Sequence, residues 1–266
     1  MFVYMQKCTR IQLFGFWRDK MSKLEQKVAL ITGGSRGIGA GIAKRFAKEG
    51  ASVAITYANS EQKAEELVKS IEAEGGKAIA IKADSANPEA VKNAVAATVQ
   101  NFGHIDILVN NAGVANFKPL EEFTLEDLNQ TFAVNVQAVF VASQEAVKNM
   151  PAGGRIINIG TAAADRVFGP NFTLYALSKT ALTGLTKGLA RDLGERKITV
   201  NLVQPGPVKT DMLPEDQSFQ DALRELMAIK EFSEADDIAS LVTWVASDEG
   251  RYVTGESINI DGGLSV

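Results

Sequence analysis

The chain carries one cysteine, Cys8, and one histidine, His104, among its 266 residues. A single cysteine excludes an internal disulfide and any zinc site built from several thiolates. A single histidine excludes a histidine-rich metal site and leaves a Ser-His-Asp triad only one place to form. His104 stands in "FGHIDILV", just ahead of an apolar run, where it reads as a polar residue on a helix-to-strand turn. No run of about 18 apolar residues occurs, so no membrane span is predicted. Long basic runs are missing too: 28 Lys and Arg face 32 Asp and Glu, a net charge of −4. Duplex nucleic acid, which is held by phosphate neutralisation, is therefore not an expected partner.

What is present is a globular composition, 45% hydrophobic and 23% charged, in a chain long enough to bury a core without a metal or disulfide staple. The first 20 residues are aromatic-rich, net basic and without clear period, and "MSKLEQKVALITGG" reads as a second start at Met21. Residues 1–21 are expected to be a spurious or disordered extension. They lack the long apolar core of a secretory signal and the Arg/Ser richness of a mitochondrial presequence.

From Lys27 onward, short β-rich runs alternate with helical periods. "KVALIT", "SVAITY", "KAIAIKAD" and "IDILVNNAG" are strands. The helices between them include "GIGAGIAKRFAKEG", stopped by Gly50, then one capped by Ser60 and one with Pro88 in its first turn. Long helices follow over about 124–149 and 172–195, with "RIINIG" between them and "ITVNLVQPG" after. Two more helices near 216–229 and 234–247 precede a last strand at "SINI". Apolar strands alternating with helices mean a parallel sheet covered on both faces: one α/β, doubly wound domain over 22–266.

"TGGSRGIG", Thr32 to Gly39, joins the first strand to the first helix. Gly33, Gly37 and Gly39 allow a tight turn and close backbone approach, and with Ser35, Arg36 and Ile38 they form a candidate pyrophosphate cradle at a helix N-terminus. An NAD site usually carries Asp or Glu about 20 residues past the glycines. Here the second strand ends in Tyr57, then Ala58, Asn59 and Ser60, while Arg36 is available to a 2′-phosphate. The charge balance favours NADP(H) over NAD(H). Asp84 is placed to meet the adenine or to cap the helix that follows.

Tyr175 and Lys179 are an i, i+4 pair on one helix face. A phenol with pKa about 10 is a poor acid-base group at neutral pH, and a nearby ammonium lowers that value. The pair offers proton transfer without histidine.

"TGGSRGIG", "NNAG" (110–113), "NV" (135–136), "YALSK" and "PGPVKTDM" (205–212) occur in this order, and the chain ends "VTGESINIDGG" before its last three residues. Together they resemble the short-chain dehydrogenase/reductase family over nearly everything after residue 24. The resemblance implies a single Rossmann-type domain with a seven-stranded parallel sheet and hydride transfer between a nicotinamide and a carbonyl or alcohol. It assigns Tyr175 as general acid/base and Lys179 as the lysine that lowers its pKa and binds the nicotinamide ribose. Asn135 matches the asparagine that holds a relay water. Asn111, Ala112 and Gly113 match the turn beside the cofactor, Asp84 and Ser85 the adenine contacts, and Pro205, Gly206, Val208 and Thr210 the loop over the nicotinamide. The family also implies a homotetramer or dimer paired through the two long helices. A cytoplasmic location is expected.

One position departs from the family. Its substrate-orienting serine commonly lies one residue closer to the tyrosine, and here residue 162 is Ala. Thr161 is the aligned hydroxyl, with the extra residue placed in "AADRVFGPNFT". The loops 114–120, 162–173 and 207–232 contribute Phe117, Phe168, Phe172, Met212, Leu213, Phe219 and Leu226, which predict an apolar ligand or a packed lid. A carbonyl reductase or alcohol dehydrogenase is the first expectation. A 3-oxoacyl-[acyl-carrier-protein] reductase is an alternative, weakened by the lack of a basic cluster in "VKNMPAGG" but left open by Arg191, Arg196 and Lys197. A third reading is a cyclic-di-GMP-binding regulatory protein on the same scaffold, since the chain also resembles a bacterial subgroup of biofilm-dispersal mediators.

Overall fold

A computed structural model describes residues 22–266, so the expected extension over 1–21 lies outside the described residues. Seven strands form one parallel sheet: β1 Val28–Ile31, β2 Ser52–Tyr57, β3 Lys77–Lys82, β4 Ile107–Asn110, β5 Arg155–Ile159, β6 Thr199–Pro205 and β7 Ser257–Ile260. Their spatial order is β3-β2-β1-β4-β5-β6-β7. The order reverses direction between β1 and β4, and a ligand crevice opens at such a switch point, outside the strand C-termini.

Helices cover both faces: α1 Gly37–Lys48, α2 Glu61–Ala73, α3 Pro88–Phe102, α4 Leu125–Phe132, α5 Ala138–Ala146, α6 Thr173–Leu193, α7 Gln217–Leu226 and α8 Ala235–Ala246. β1, β4, β5 and β6 are buried along their whole length, which is why they read as continuous apolar runs. One core cluster joins α1, α2 and α8 to the sheet around Phe46, Ile42 and Val242; a second joins α3 and α5 around Val95, Leu108 and Ala142. Phe46 has no exposed surface, so truncation to Ala is expected to cost about 3–5 kcal/mol. Among the described residues no helix is long and apolar enough to cross a membrane.

Local differences from the expected elements have local causes. The helix expected over 124–149 is divided: α4 and α5 are separated by a π-turn over Ala133–Gln137, in which Ala138 N–H reaches back to Ala133 O. The helix expected over 216–229 ends at Leu226, because Met227 turns extended and buries itself with Leu223, Phe232 and Leu264. Ser60 precedes α2 but makes no side-chain cap bond; the Tyr57 hydroxyl instead donates to Glu61 at 3.0 Å. Gly50 does end α1, at φ +91°. Pro88 opens α3, capped by Asn87 and not by Asp84, whose carboxylate accepts from Ala86 N–H at 2.9 Å.

Candidate active site

The glycine turn sits at the switch point and is held from the β4 side. Gly33 adopts φ +62°, and a Cβ there would meet Ala112 Cα at 2.9 Å, so only glycine fits. The Asn111 amide donates to Thr32 O at 2.9 Å and Gly33 O at 3.0 Å, while Thr32 Oγ1 accepts from Asn111 and Ala112 N–H. Asn111 thus spends its side chain on the turn itself. Gly39 is needed for closeness rather than for backbone freedom: a Cβ would lie 2.5 Å from Asn111 Nδ2. No side chain caps α1, and its first turn carries no acid, so its N–H groups are left for an anion. Thr210 lies directly over this turn, 3.3 Å from the place of a Gly37 Cβ.

Ala58, Asn59 and Ser60 follow β2, and Asp84 and Ser85 follow β3, so all five stand on the same C-terminal edge of the sheet. Asp84 keeps one carboxylate oxygen outside its Ala86 bond.

The other end of the crevice holds the polar set. Lys179 is buried on α6, and Nζ donates to Ile159 O at 2.9 Å. Burial pushes its ammonium down to about 8. Asn135, fully buried in the π-turn, accepts from Val114 N–H and donates to Val114 O and Ser178 Oγ, each at 2.9 Å. A Cβ on Gly113 would lie 3.1 Å from Lys179 Nζ and 3.4 Å from Asn135 Oδ1, so this glycine fills the gap between them. Thr161 follows β5; its Oγ1 accepts from Ala163 N–H at 3.3 Å, leaving its own hydrogen free. A hydrogen bond with Thr161 pulls the Tyr175 phenol down, but burial outweighs it and holds the phenol above its ordinary value. The lowering expected from Lys179 is therefore not what the protein's own groups produce. Single π-turns inside helices recur at functional sites.

A cavity of about 640 Å³ opens beside these groups. Ile38, Thr161, Tyr175, Pro205, Gly206, Val208 and Thr210 all line it, as do the seven expected apolar residues. Phe117 packs edge-on against Tyr175 with ring centroids 5.5 Å apart, and against Phe172 at 4.7 Å. Phe168, Leu213 and Phe219 also pack on a small core at Leu223 and Phe232, so they serve the lid as well as the cavity. His104 is remote from this crevice and pairs with Asp106 at 2.8 Å, as a turn residue.

Residues the sequence reading passed over are Thr32, which ties β1 to β4, and Ser178, which links Asn135 to the Tyr175 carbonyl. Both lie inside short local motifs, but their partners are distant in sequence.

A family model described as enoyl-(acyl carrier protein) reductase matches residues 33–265. The cyclic-di-GMP-binding biofilm dispersal mediator protein of Escherichia coli is 43% identical over 242 residues, covering 91% of this chain and 98% of that one. Hydroxynaphthalene reductase arp2 of Aspergillus fumigatus is 40% identical over 247 residues, covering 88% and 90%. A solved short chain dehydrogenase of Burkholderia cenocepacia, in complex with NADP, is 53% identical with TM-score 0.90 and covers 92% of this chain and 100% of its own. With the motif order, the sheet and these matches in agreement, the chain belongs to the short-chain dehydrogenase/reductase family of oxidoreductases.

Proposed function

We propose that the chain is an NADP(H)-dependent carbonyl reductase acting on bulky apolar, aromatic carbonyl compounds or the matching alcohols. The observation that carries this reading is the position of Thr161 and Tyr175 on the wall of one aromatic-lined cavity that also reaches Ile38 in the glycine turn. The uncapped α1 terminus and the positive-φ glycines fit a pyrophosphate. Arg36, with no acid at Ala58–Ser60, supports the phosphorylated cofactor. The NADP complex of the Burkholderia relative and the aromatic substrate named for the Aspergillus one support the same reading.

When bound, the nicotinamide supplies the hydride for the carbonyl carbon. Thr161 and Tyr175 hold the carbonyl oxygen, and Tyr175 gives it the phenol proton. Lys179, one helical turn from Tyr175 and held at Ile159 O, is the cation assigned to balance the phenolate left behind. Asn135 fixes Val114 and the start of the 114–120 loop, and the π-turn around it is where a relay water would be held. Exposed Leu125, Phe140 and Leu177 on the helices over 125–193 support pairing between subunits as a homodimer or homotetramer.

A carrier-protein substrate has less support: Arg196 spends its guanidinium on the carbonyls of Val147 and Met150. The test is NADPH oxidation with aryl ketones, aliphatic ketones, aldehydes and 3-oxoacyl thioesters, with Tyr175→Phe as control. Turnover is expected on aryl ketones first. No turnover on any carbonyl, together with tight cyclic-di-GMP binding by calorimetry, would replace this reading with the regulatory one.

A further inference from the structure

Three charged side chains from distant parts of the chain meet at the outer end of the glycine turn. Asp211 Oδ2 accepts from Lys63 Nζ at 3.0 Å and from Arg36 Nη1 at 3.3 Å. Arg36 belongs to the turn after β1, Lys63 to the first turn of α2, and Asp211 to the loop between β6 and α7. One carboxylate oxygen thus serves two cations and leaves the cluster with one net positive charge. Each side chain is more than half exposed, at 58%, 56% and 54%. Exposed pairs of this kind are weak and exchangeable.

Arg36 is the cation that the cofactor reading offers to a 2′-phosphate, and Asp211 brings Lys63 beside it. A phosphate monoester carries about −1.5 to −2 charges at pH 7 and three acceptor oxygens, against one charge for a carboxylate. Its oxygens match the guanidinium fork of Arg36 and the point charge of Lys63. Asp211 is also next to Thr210, which lies on Gly37, and to Met212 and Leu213 in the cavity wall.

We infer that Arg36 and Lys63 form the 2′-phosphate subsite, and that Asp211 is a built-in competitor that occupies it until a phosphate monoester displaces the carboxylate. This inference rests on the NADP(H) reading and adds Lys63 and Asp211 to it. Asp211 then sets cofactor affinity and ties the cofactor's phosphate to the segment that lines the substrate cavity. Lys63 first, then Arg36, holds the Asp211 carboxyl below its ordinary value, so the competitor stays charged at neutral pH.

The test is calorimetry with 2′,5′-ADP and 5′-ADP on the full chain, on Asp211→Asn and on Lys63→Ala. Asp211→Asn is expected to bind 2′,5′-ADP roughly two- to tenfold more tightly at low salt, with the gain fading near 1 M salt. Its affinity for 5′-ADP is expected to stay unchanged, and Lys63→Ala to bind 2′,5′-ADP more weakly. Hydrogen exchange over residues 209–214 is expected to rise on adding 2′,5′-ADP to the unaltered chain, and to be high already in Asp211→Asn. If the unaltered chain prefers 2′,5′-ADP but Asp211→Asn gains nothing, the competitor role is wrong and the cofactor reading stands. Equal binding of both adenylates by the unaltered chain overturns both. Unchanged exchange over 209–214 overturns the tie to the cavity wall.

Discussion

Lys179 Nζ donates to the carbonyl of Ile159 at 2.9 Å, tying the helix that carries Tyr175 to the end of the strand that leads into Thr161. The ammonium is buried, and that burial holds it down to about 8. A lysine whose folded value lies below its unfolded one binds fewer protons folded than unfolded between about 8 and 10.5. The contribution of Lys179 to stability must therefore rise with pH through that window. Relative to Lys179→Met, the unaltered chain is expected to gain up to ~3 kcal/mol between those limits. Paired thermal or urea melts at pH 7 and pH 10 measure the gain, since other alkaline titrations cancel in the difference. A pH-independent gap would place the ammonium in water.

The direction of catalysis should show the state of Tyr175. Its phenol is raised by burial and so carries its proton at neutral pH. A protonated phenol suits reduction, where the group is an acid, and not oxidation, where it must first lose the proton. Reduction is expected to hold level through neutral pH and to fall above about 8, as Lys179 loses its charge. Oxidation is expected to climb with pH over the same range. Tyr175→Phe should lower both rates by roughly 10²–10⁴-fold. Reduction that rose with pH alongside oxidation would contradict the assignment.

Asn135 is a fully buried polar residue whose removal should lower stability. Ala at this position leaves the N–H and C=O of Val114 without their partner and takes one donor from the Ser178 hydroxyl, which keeps its bond to the Tyr175 carbonyl. Each buried group left unsatisfied costs ~1–3 kcal/mol. A fall in Tm of several degrees is expected, since about 1 kcal/mol shifts a domain of this size by ~2–4 °C. Ser178→Ala, which removes one of these partners, should fall less. Equal Tm values for Asn135→Ala and the unaltered chain would mean that the loop after β4 repacks freely.

The sheet was legible because the strands are short and apolar and all but the last lead into a helical period, and the buried faces of β1, β4, β5 and β6 leave no alternation to confuse with a surface strand. The glycine turn and the Tyr175/Lys179 pair were legible because each is local. The π-turn was not: "AVNVQ" keeps the apolar spacing of the helices on either side, and one extra residue in the ladder leaves no mark on a period of 3.6. Asp211, Lys63 and Arg36 could not be grouped from sequence either. Their pairings span 148 and 175 residues and arise only because a parallel sheet brings every strand C-terminus to one edge.

Three substitutions separate the roles open to Thr161, the hydroxyl proposed to stand for the family's serine. Its Oγ1 accepts from Ala163 N–H, so the hydroxyl hydrogen is free to serve Tyr175 or a carbonyl oxygen. Between Thr161 and Tyr175 the chain passes through a left-handed residue at Asn171, φ +70°. Thr161→Ala removes the donor and is expected to cost about 10²–10³ in kcat, the range seen when one oxyanion donor is lost. It should also raise the Tyr175 pKa further, because the hydrogen bond from Thr161 pulls it down. Thr161→Ser keeps the donor and loses the methyl group that stiffens χ1 and occupies the cavity. Most of the rate should survive in the serine variant while bulkier ketones become acceptable. Thr161→Val keeps the shape without the donor and should behave like the alanine variant in rate but like the unaltered chain in substrate range. Full kcat/KM in the alanine variant would show that Tyr175 holds the carbonyl oxygen alone.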